Sequence, residues 1–320
     1  MTILITGGAG YIGSHVVKLL VQNNREVVVL DDLSRGNRMA IEGVPLVVGD
    51  YGDSKLVSKI IEMYGVESVV HLAGLKSVAE SMTHPYLYVE TNILKGTAFL
   101  NTLVACGVRR VVFSSSCSVY GNPTKLPVTE DFPLLPQSMY AVSKVVQENF
   151  LHFCQPFGLE FISLRYFNAA GASAAGDIGE DWNYSTNLIP MVMRSLLISD
   201  KPVVVFGTDH PTPDGTCIRD YVHVTDLAYA HFSALEALES GTKSIFLNLG
   251  TGNGNSVREI IRLVEEYSGQ RVPVVYGAAR DGDPSTIYAN SDLAAKVLNW
   301  KASMSIEDII QTAYNWHSKV

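Results

Sequence analysis

Cysteine is scarce in this chain: four in 320 residues, Cys106, Cys117, Cys154 and Cys217, with no C-x-x-C pair. That spacing speaks against a disulfide framework or a zinc site, so no metal is expected. Basic residues are in deficit as well, 24 Lys and Arg against 32 Asp and Glu, for a net charge of −8. An acidic chain disfavours non-specific binding to nucleic acid or to an acidic membrane surface. No apolar run approaches the roughly 20 residues of a membrane span. Internal repeats and low-complexity tracts are missing too. The first strand-like run begins at about Thr2, which leaves no room for a signal peptide, and a reducing cytoplasm is the expected compartment. What remains is ordinary: 47% hydrophobic and 18% charged residues, enough chain for one large domain and a smaller one.

The most informative stretch stands at the front. Ile3-Leu4-Ile5 reads as a buried strand, and Ser14 to Gln22 as an amphipathic helix. Between them lies Thr6-Gly7-Gly8-Ala9-Gly10-Tyr11-Ile12-Gly13. Strand, glycine-rich turn and helix form the context in which such a loop takes a dinucleotide pyrophosphate on the helix N-terminus. Gly7 would make the tight turn, Gly10 would let the phosphate approach, and Gly13 would let the helix pack on the strand. Val27 to Asp32 is a second buried strand ending in acid, about 20 residues past the loop, where a carboxylate binds the adenosine ribose. Asp31 there would repel a 2′-phosphate and favours NAD over NADP, although Arg35 and Arg38 follow closely. Pro45 to Asp50 repeats the theme, with Asp50 placed to bond the adenine amino group.

Ser68 to Gly74 is a fourth strand opening into a small-residue turn; its His71 reads as a packed, hydrogen-bonded strand-end histidine. Thr91 to Cys106 has helical spacing, and Val111 to Ser116 is a fifth strand. A proline-rich loop from Gly121 to Gln137 leads to a helix from Tyr140 to Cys154, and Glu160 to Arg165 is a sixth strand. Alternation over about 165 residues predicts an α/β fold: a Rossmann-type doubly wound parallel sheet, with a smaller C-terminal α/β substrate-binding domain. The expected boundaries are 1–167 for the NAD-binding domain and 168–320 for a discontinuous second domain, with about 222–249 returning to the large sheet. In the second part, Tyr166 to Asn187 reads as a long loop and Asn187 to Ser199 as a helix. Val203 to Phe206 and Arg219 to Val224 read as strands, Asp226 to Leu238 as a helix, Ser244 to Leu249 as a strand, and Ser256 to Ser268 as a helix. A site between the domains, at the carboxyl ends of the strands, is expected.

Tyr140 and Lys144 are four apart and leave one face of their helix. Tyrosine titrates near pH 10, so it is a poor base at neutrality, but an adjacent ammonium and a positive nicotinamide ring both favour the phenolate. A shift of about three units is worth roughly 4 kcal/mol. Ser116, ending the fifth strand, is placed to share a hydroxyl proton with a substrate and the tyrosine.

Together, Gly7, Gly10, Gly13, Asp31, Ser116 and Tyr140-x-x-x-Lys144 resemble the extended short-chain dehydrogenase/reductase superfamily. Closer still, the chain resembles the UDP-glucose 4-epimerases from Ile3 to about Trp316. The stretches that carry the likeness are Thr6 to His15, His71 to Lys76, Phe113 to Gly121, Leu164 to Gly171, Pro211 to Thr216 and Arg219 to Val224. The resemblance implies inversion at C4 of a nucleotide sugar. Tyr140 would take the 4-hydroxyl proton while C4 passes a hydride to a permanently bound NAD, and the hydride would return to the other face of a 4-keto sugar. The cofactor-binding set it implies is Gly7, Gly10, Tyr11, Ile12, Gly13, Asp31, Asp32, Asp50, Tyr51, Leu72, Ala73, Gly74, Lys76, Asn92, Ser114, Tyr140, Lys144 and Tyr166. The set implied for a UDP-sugar is Lys76, Ser116, Tyr140, Asn168, Asn187, Leu188, Val204, Phe206, Arg219, Arg280 and Asp283, and two arginines suit a pyrophosphate. A homodimer is also implied.

Departures from the family pattern are informative. Thr91 replaces an asparagine found before Asn92 in many members, so cofactor contacts there should be weakened or rerouted. Ile287, or Tyr288 next to it, falls where some relatives carry a tyrosine that crowds an N-acetyl group; isoleucine predicts tolerance of N-acetylated substrates. A 4,6-dehydratase would need an acid pair where Cys117 and Ser118 stand. A UDP-pentose or UDP-uronate 4-epimerase keeps every motif, and a non-catalytic NAD sensor would not need Tyr140 and Lys144.

Overall fold

The computed structural model describes residues 1–198, 201–280 and 283–319. Strands β1 (Thr2–Thr6), β2 (Glu26–Asp31), β3 (Leu46–Val48), β4 (Val66–His71), β5 (Arg110–Ser116) and β6 (Glu160–Tyr166) come first. They are followed by β7 (Asn168–Ala170), β8 (Val203–Phe206), β9 (Ile218–Arg219), β10 (Tyr221–His223), β11 (Ile245–Leu249), β12 (Asn255–Ser256), β13 (Val274–Gly277) and β14 (Thr286–Ile287). The α-helices are α1 (Tyr11–Gln22), α2 (Ser54–Tyr64), α3 (Val78–Thr83), α4 (Pro85–Tyr88), α5 (Gly96–Ala105), α6 (Met139–Cys154), α7 (Leu188–Leu197), α8 (Val224–Glu239), α9 (Val257–Ser268), α10 (Asp292–Leu298) and α11 (Ile306–His317).

Among the described residues, seven parallel strands form the main sheet in the order β11-β6-β5-β4-β1-β2-β3. Its strands read as unbroken apolar runs because both faces are covered. Alternation sends Ile3 and Ile5 to a layer with Val16, Val17 and Leu20 of α1 and Leu227, Ala228 and Leu235 of α8. Leu4 points the other way, into Val57 and Ile60 of α2, Phe99 and Leu103 of α5 and Leu151 of α6. The chain proceeds outward from β1 to β3, then returns to place β4 on the other side of β1, with Thr6 level with His71. That reversal opens a crevice at the carboxyl ends of β1 and β4, the place where such sheets take their ligands.

A third apolar cluster gathers the later elements: Ile189, Val192 and Met193 of α7, Val203 and Val205 of β8, Ile260 and Val264 of α9, and Ile309 and Ile310 of α11. The segment from α8 to β11 belongs elsewhere: β11 pairs with β6 in the main sheet and α8 packs on its face. Among the described residues no helix is long and apolar enough to cross a membrane, and no group of three or more His, Cys, Asp and Glu could hold a metal ion.

The structure differs from the sequence reading in several places. The helix expected to start at Thr91 is preceded by α4 and a π-helical stretch, Val89–Lys95. Within that stretch Asn92 reaches out to bond the backbone of Leu75 through both amide atoms. The expected loop from Tyr166 to Asn187 contains β7, which pairs with β10. The strand expected over Arg219 to Val224 is broken at Asp220. Its buried carboxylate accepts the N–H groups of Thr251, Gly252 and Ala289, which turns β9 toward β12 and β14 and β10 toward β7. The predicted end of α7 at Ser199 lies outside the described residues. Helix α2 has plain signals that the reading above passed over: an Asp53 N-cap and a left-handed Gly65 at its end.

Candidate active site

The turn between β1 and α1 is built for close approach. Gly7 sits at φ 71°, and a Cβ there would lie 2.7 Å from the Ala73 nitrogen. A Cβ on Gly13 would lie 2.1 Å from the Gly7 carbonyl oxygen, so only glycine lets α1 pack on the loop. At Gly10 the nearest atom would be 3.2 Å away, and that face is open. No side chain caps α1, and its first turn carries no acid. The first N–H groups of α1, around Tyr11, Ile12 and Gly13, are therefore left to an anion. This is a cradle that fits the pyrophosphate of a dinucleotide. Replacing Gly13 with alanine is expected to cost about 3 kcal/mol and to strip dinucleotide from the purified protein. A thermal melt and the nucleotide content of the preparation check this, and a variant as stable and as loaded as wild type would contradict it.

Asp31 ends β2 nearly buried, its oxygens accepting from Ala9 N–H and Leu33 N–H at 2.9 Å each. One bond thus ties the acidic strand end to the glycine turn. Asp32 is exposed and caps its own turn through Ser34. Arg35 is held by Glu80 at 2.9 Å, which removes one of the two cations that could have met a 2′-phosphate. Asp50 pairs with Lys95 at 2.7 Å and also accepts from Gly52 N–H. Tyr51 donates to the Thr91 carbonyl, so the position with the unusual threonine serves through its backbone. His71 is packed between Phe99 and Phe113 and bonded to Thr6 Oγ1 at 2.7 Å, as its place at a strand end suggested.

After β4, Leu72, Ala73 and Gly74 lead the chain across the crevice. Asn92 clamps this turn: its Oδ1 accepts from Leu75 N–H at 2.9 Å, and its Nδ2 donates to the Leu75 carbonyl and to Ser143 Oγ at 2.9 and 3.0 Å. Its amide is thereby engaged with protein on both ends, joining the crevice to α6 between Tyr140 and Lys144.

Helix α6 is capped by Ser138 and carries Tyr140, Lys144 and Glu148 on one buried stripe. Glu148 fixes the helix against β6 through Arg165, with nitrogen–oxygen distances of 2.9 and 2.8 Å. Lys144 Nζ donates to the Ser114 carbonyl at 2.8 Å and lies 5.8 Å from the centre of the Tyr140 ring. Burial lowers the lysine to about 8, partly offset by Glu148. Ser114 Oγ is bonded to the Tyr166 hydroxyl. Ser116 Oγ accepts from Ser118 N–H and Oγ at 3.2 and 3.0 Å.

In the protein alone, the phenol of Tyr140 is held protonated. Burial pushes the phenol above its ordinary value, Tyr166 adds to this, and a hydrogen bond with Ser116 works against it. The neighbouring ammonium does not reverse the shift, because it is itself desolvated and turned to the Ser114 carbonyl. A phenolate at neutral pH needs one more positive charge beside the ring.

The other wall comes from the later segments. Arg219 meets Asp283 at 2.6 Å and donates to its neighbour's carbonyl. The Arg280 guanidinium lies 3.8 Å from the centre of the Phe206 ring, and Val204 shares the outward side of β8 with that ring. Asp281 and Gly282, between Arg280 and Asp283, lie outside the described residues. The Cys117 thiol, pushed up to about 12 by burial, lies within electrostatic reach of both Arg219 and Tyr140. Asn168 opens β7, and Asn187 with Leu188 begins α7. Ile287 is packed in the core directly across from Arg219, and Tyr288 follows it, half-buried. The sequence reading passed over Ser143 and Glu180, both buried and bonded to residues it had named.

A doubly wound sheet, an uncapped glycine-turn helix and a buried tyrosine–lysine pair define a dinucleotide-dependent enzyme of the Rossmann class. The chain belongs to the NAD dependent epimerase/dehydratase family, whose model matches residues 3–250. A UDP-glucose 4-epimerase of Halalkalibacterium halodurans is 40% identical over 100% of this chain and 96% of its own length. The UDP-glucose 4-epimerase of Brucella ovis, solved in complex with NAD, superimposes with a TM-score of 0.96 at 38% identity, covering 99% of this chain and 98% of that one. The enzyme from Stenotrophomonas maltophila, solved with NAD and a formylated UDP-arabinopyranose, gives 0.95 at 38% identity, with 99% and 98% covered.

Proposed function

We propose that this protein is an NAD-dependent 4-epimerase that interconverts UDP-glucose and UDP-galactose. The observation that carries the reading is the buried Tyr140–Lys144 pair together with later elements that present Arg219, paired with Asp283, and Arg280, stacked on Phe206. A dehydrogenase needs only the first wall; a substrate with its own pyrophosphate needs both. The cofactor set is the one named above. The glycine turn takes the NAD pyrophosphate, Asp31 the adenosine ribose, and Lys76, Tyr166 and Lys144 hold the nicotinamide half. NAD, when bound there, accepts a hydride from C4 of the sugar and returns it. Tyr140 takes the proton of the 4-hydroxyl and gives it back, with Ser116 sharing it. Lys144 fixes the orientation of the ribose and keeps its charge near the ring. Arg219 and Arg280 fork onto the UDP pyrophosphate, with Phe206, Val204, Asn187, Leu188 and Asp283 about the nucleotide, so the sugar turns over while its handle stays held.

A 4,6-elimination is disfavoured by the residues after β5. Cys117 holds its proton to about 12, and Ser118 spends its hydroxyl on Ser116. N-acetylated sugars belong to the range, since isoleucine at 287 is smaller than the tyrosine that would crowd them. Because the reaction has no net redox change, it needs no added cofactor. Incubating the purified protein with UDP-galactose, UDP-GalNAc, UDP-arabinose and UDP-galacturonate, without NAD, should epimerise the first two. Failure on all four would overturn the reading, and turnover confined to the pentose or the uronate would replace its substrate.

A further inference from the structure

Glu180 is almost fully buried, yet its carboxylate sits between two residues of opposite walls. Lys76 Nζ, from the turn after β4, meets Oε1 at 2.5 Å. Asn187 Nδ2, from the N-terminus of α7, donates to Oε1 at 3.0 Å and lies 3.3 Å from Oε2. The same ammonium lies 5.8 Å from the centre of the Tyr11 ring, at the start of α1. Asn187 is the N-cap residue of α7, but its side chain makes no cap bond; it is turned to Glu180 instead. The N–H groups of Leu188 and Ile189 are therefore left without a side-chain cap, Pro190 after them having none to offer.

We propose that Glu180 is a positioning residue that couples the two nucleotide sites: it aims Lys76 at the dinucleotide and keeps the Asn187 amide off the end of α7, which the reading above places beside the UDP. This rests on the epimerase reading above. The pair is half open to solvent, the Lys76 side chain being 48% exposed, and such a pair is a weak source of stability, so the buried carboxylate is better explained by what it orients. Loss of the charge frees Lys76 to solvent and lets Asn187 swing back to cap its own helix, in competition with the substrate anion. The backbone at this position is anchored separately, since Trp316 Nε1 donates to the Glu180 carbonyl at 3.0 Å. Removing the carboxylate should thus leave the loop in place.

The test uses purified full-length E180Q, E180D, K76M and E180Q/K76M. NAD per chain is measured after release by acid, the Kd for UDP by calorimetry on NAD-saturated protein, and folding by a thermal melt. E180Q is expected to weaken UDP about tenfold and to lower the bound NAD, with its melt unchanged. E180D, which keeps the charge, should recover part of the NAD. The double variant should bind UDP no more weakly than E180Q alone, because both changes break one unit. UDP affinity and NAD content within twofold of wild type in E180Q would overturn the proposal, as would independent, additive losses in the double variant. If E180Q does not fold, the same measurements on E180D against K76M decide the matter, a wild-type profile in E180D being fatal. Wild-type protein that fails to bind UDP at all would instead refute the epimerase reading.

Discussion

Replacing Tyr140 with phenylalanine lowers the turnover of UDP-galactose by a factor on the order of a thousand and leaves NAD on the protein. A positioned acid–base group contributes roughly a hundredfold to ten-thousandfold, and this phenol is the one group on α6 that can carry the proton of the reacting hydroxyl. Phenylalanine keeps the buried volume and the edge contact with Tyr88, whose ring centre lies 6.5 Å away. Lys144 keeps its place as well, because its bond runs to the Ser114 carbonyl and not to the phenol. The variant should therefore fold, hold NAD and bind UDP within about twofold of wild type. The loss should fall on kcat, as expected for a contact made in the transition state. Steady-state kinetics with UDP-galactose, beside the NAD content of the same preparation, checks this. Turnover within tenfold of wild type would remove Tyr140 from the chemistry and return the pair to the role of a packed stripe.

That stripe shows how much was readable before any coordinates. Tyr140 and Lys144 share one helix, so a spacing of four is enough to place them together. The same holds for Gly10 and Gly13, whose neighbours are in the same turn, while Gly7 also answers to the distant backbone of Ala73. The main sheet was legible because its strands are buried on both sides and read as apolar runs such as Val27 to Leu30. The later half was harder. Strands of two or three residues carry no period, and Asp220, which splits one of them, acts through the distant backbones of Thr251 and Ala289. Glu180 stayed hidden for the same reason: its lysine partner is 104 residues away, and nothing in a glycine-, alanine- and asparagine-rich stretch marks the pairing. The state of Tyr140 was only half readable, because charge proximity can be read from spacing and burial cannot. Both act on the phenol, and in the folded chain burial is the larger cause.

Burial also makes the protein acid-labile, and the effect is large. Five buried histidines are held neutral: His15, His231 and His317 are lowered to about 4, His71 to about 3, and His223 in the same direction, with desolvation the largest cause in each. Glu180 and Asp181 act the other way on His317, and Gln147 on His71, but burial outweighs them. His71 lies among the rings of Tyr51, Phe99 and Phe113, His317 stacks on Trp182 at 4.6 Å, and His231 bonds only the Leu227 carbonyl one turn back. The sign follows from where protons bind first. The unfolded chain takes them up near pH 6.5 and the folded chain only near 4, so stability is intact above about 6.5 and falls as the pH drops toward 4. At pH 5 each of His15, His71, His231 and His317 accounts for roughly 2 kcal/mol, and these four together for roughly 8, a large part of a typical folding free energy, with His223 acting in the same sense. Asp31, Glu130 and Asp220 oppose this, since burial raises them and their protonation favours the folded form, but chiefly at the acid end of the window. The carboxylates held low by partners, Asp50 by Lys95 and Asp177 by Lys18, lose their contribution lower still. Between pH 7.5 and 5 the melting temperature should fall by roughly 10–20 °C. His231→Gln should melt lower at pH 7.5 yet lose visibly less on acidification, since it removes one of the five titrations. A melting temperature flat across that range would mean that these rings find water or a counter-charge when they protonate. Because His15 bonds the Tyr11 carbonyl at the start of α1, acid should also loosen the glycine turn, and bound NAD should be released along the same curve.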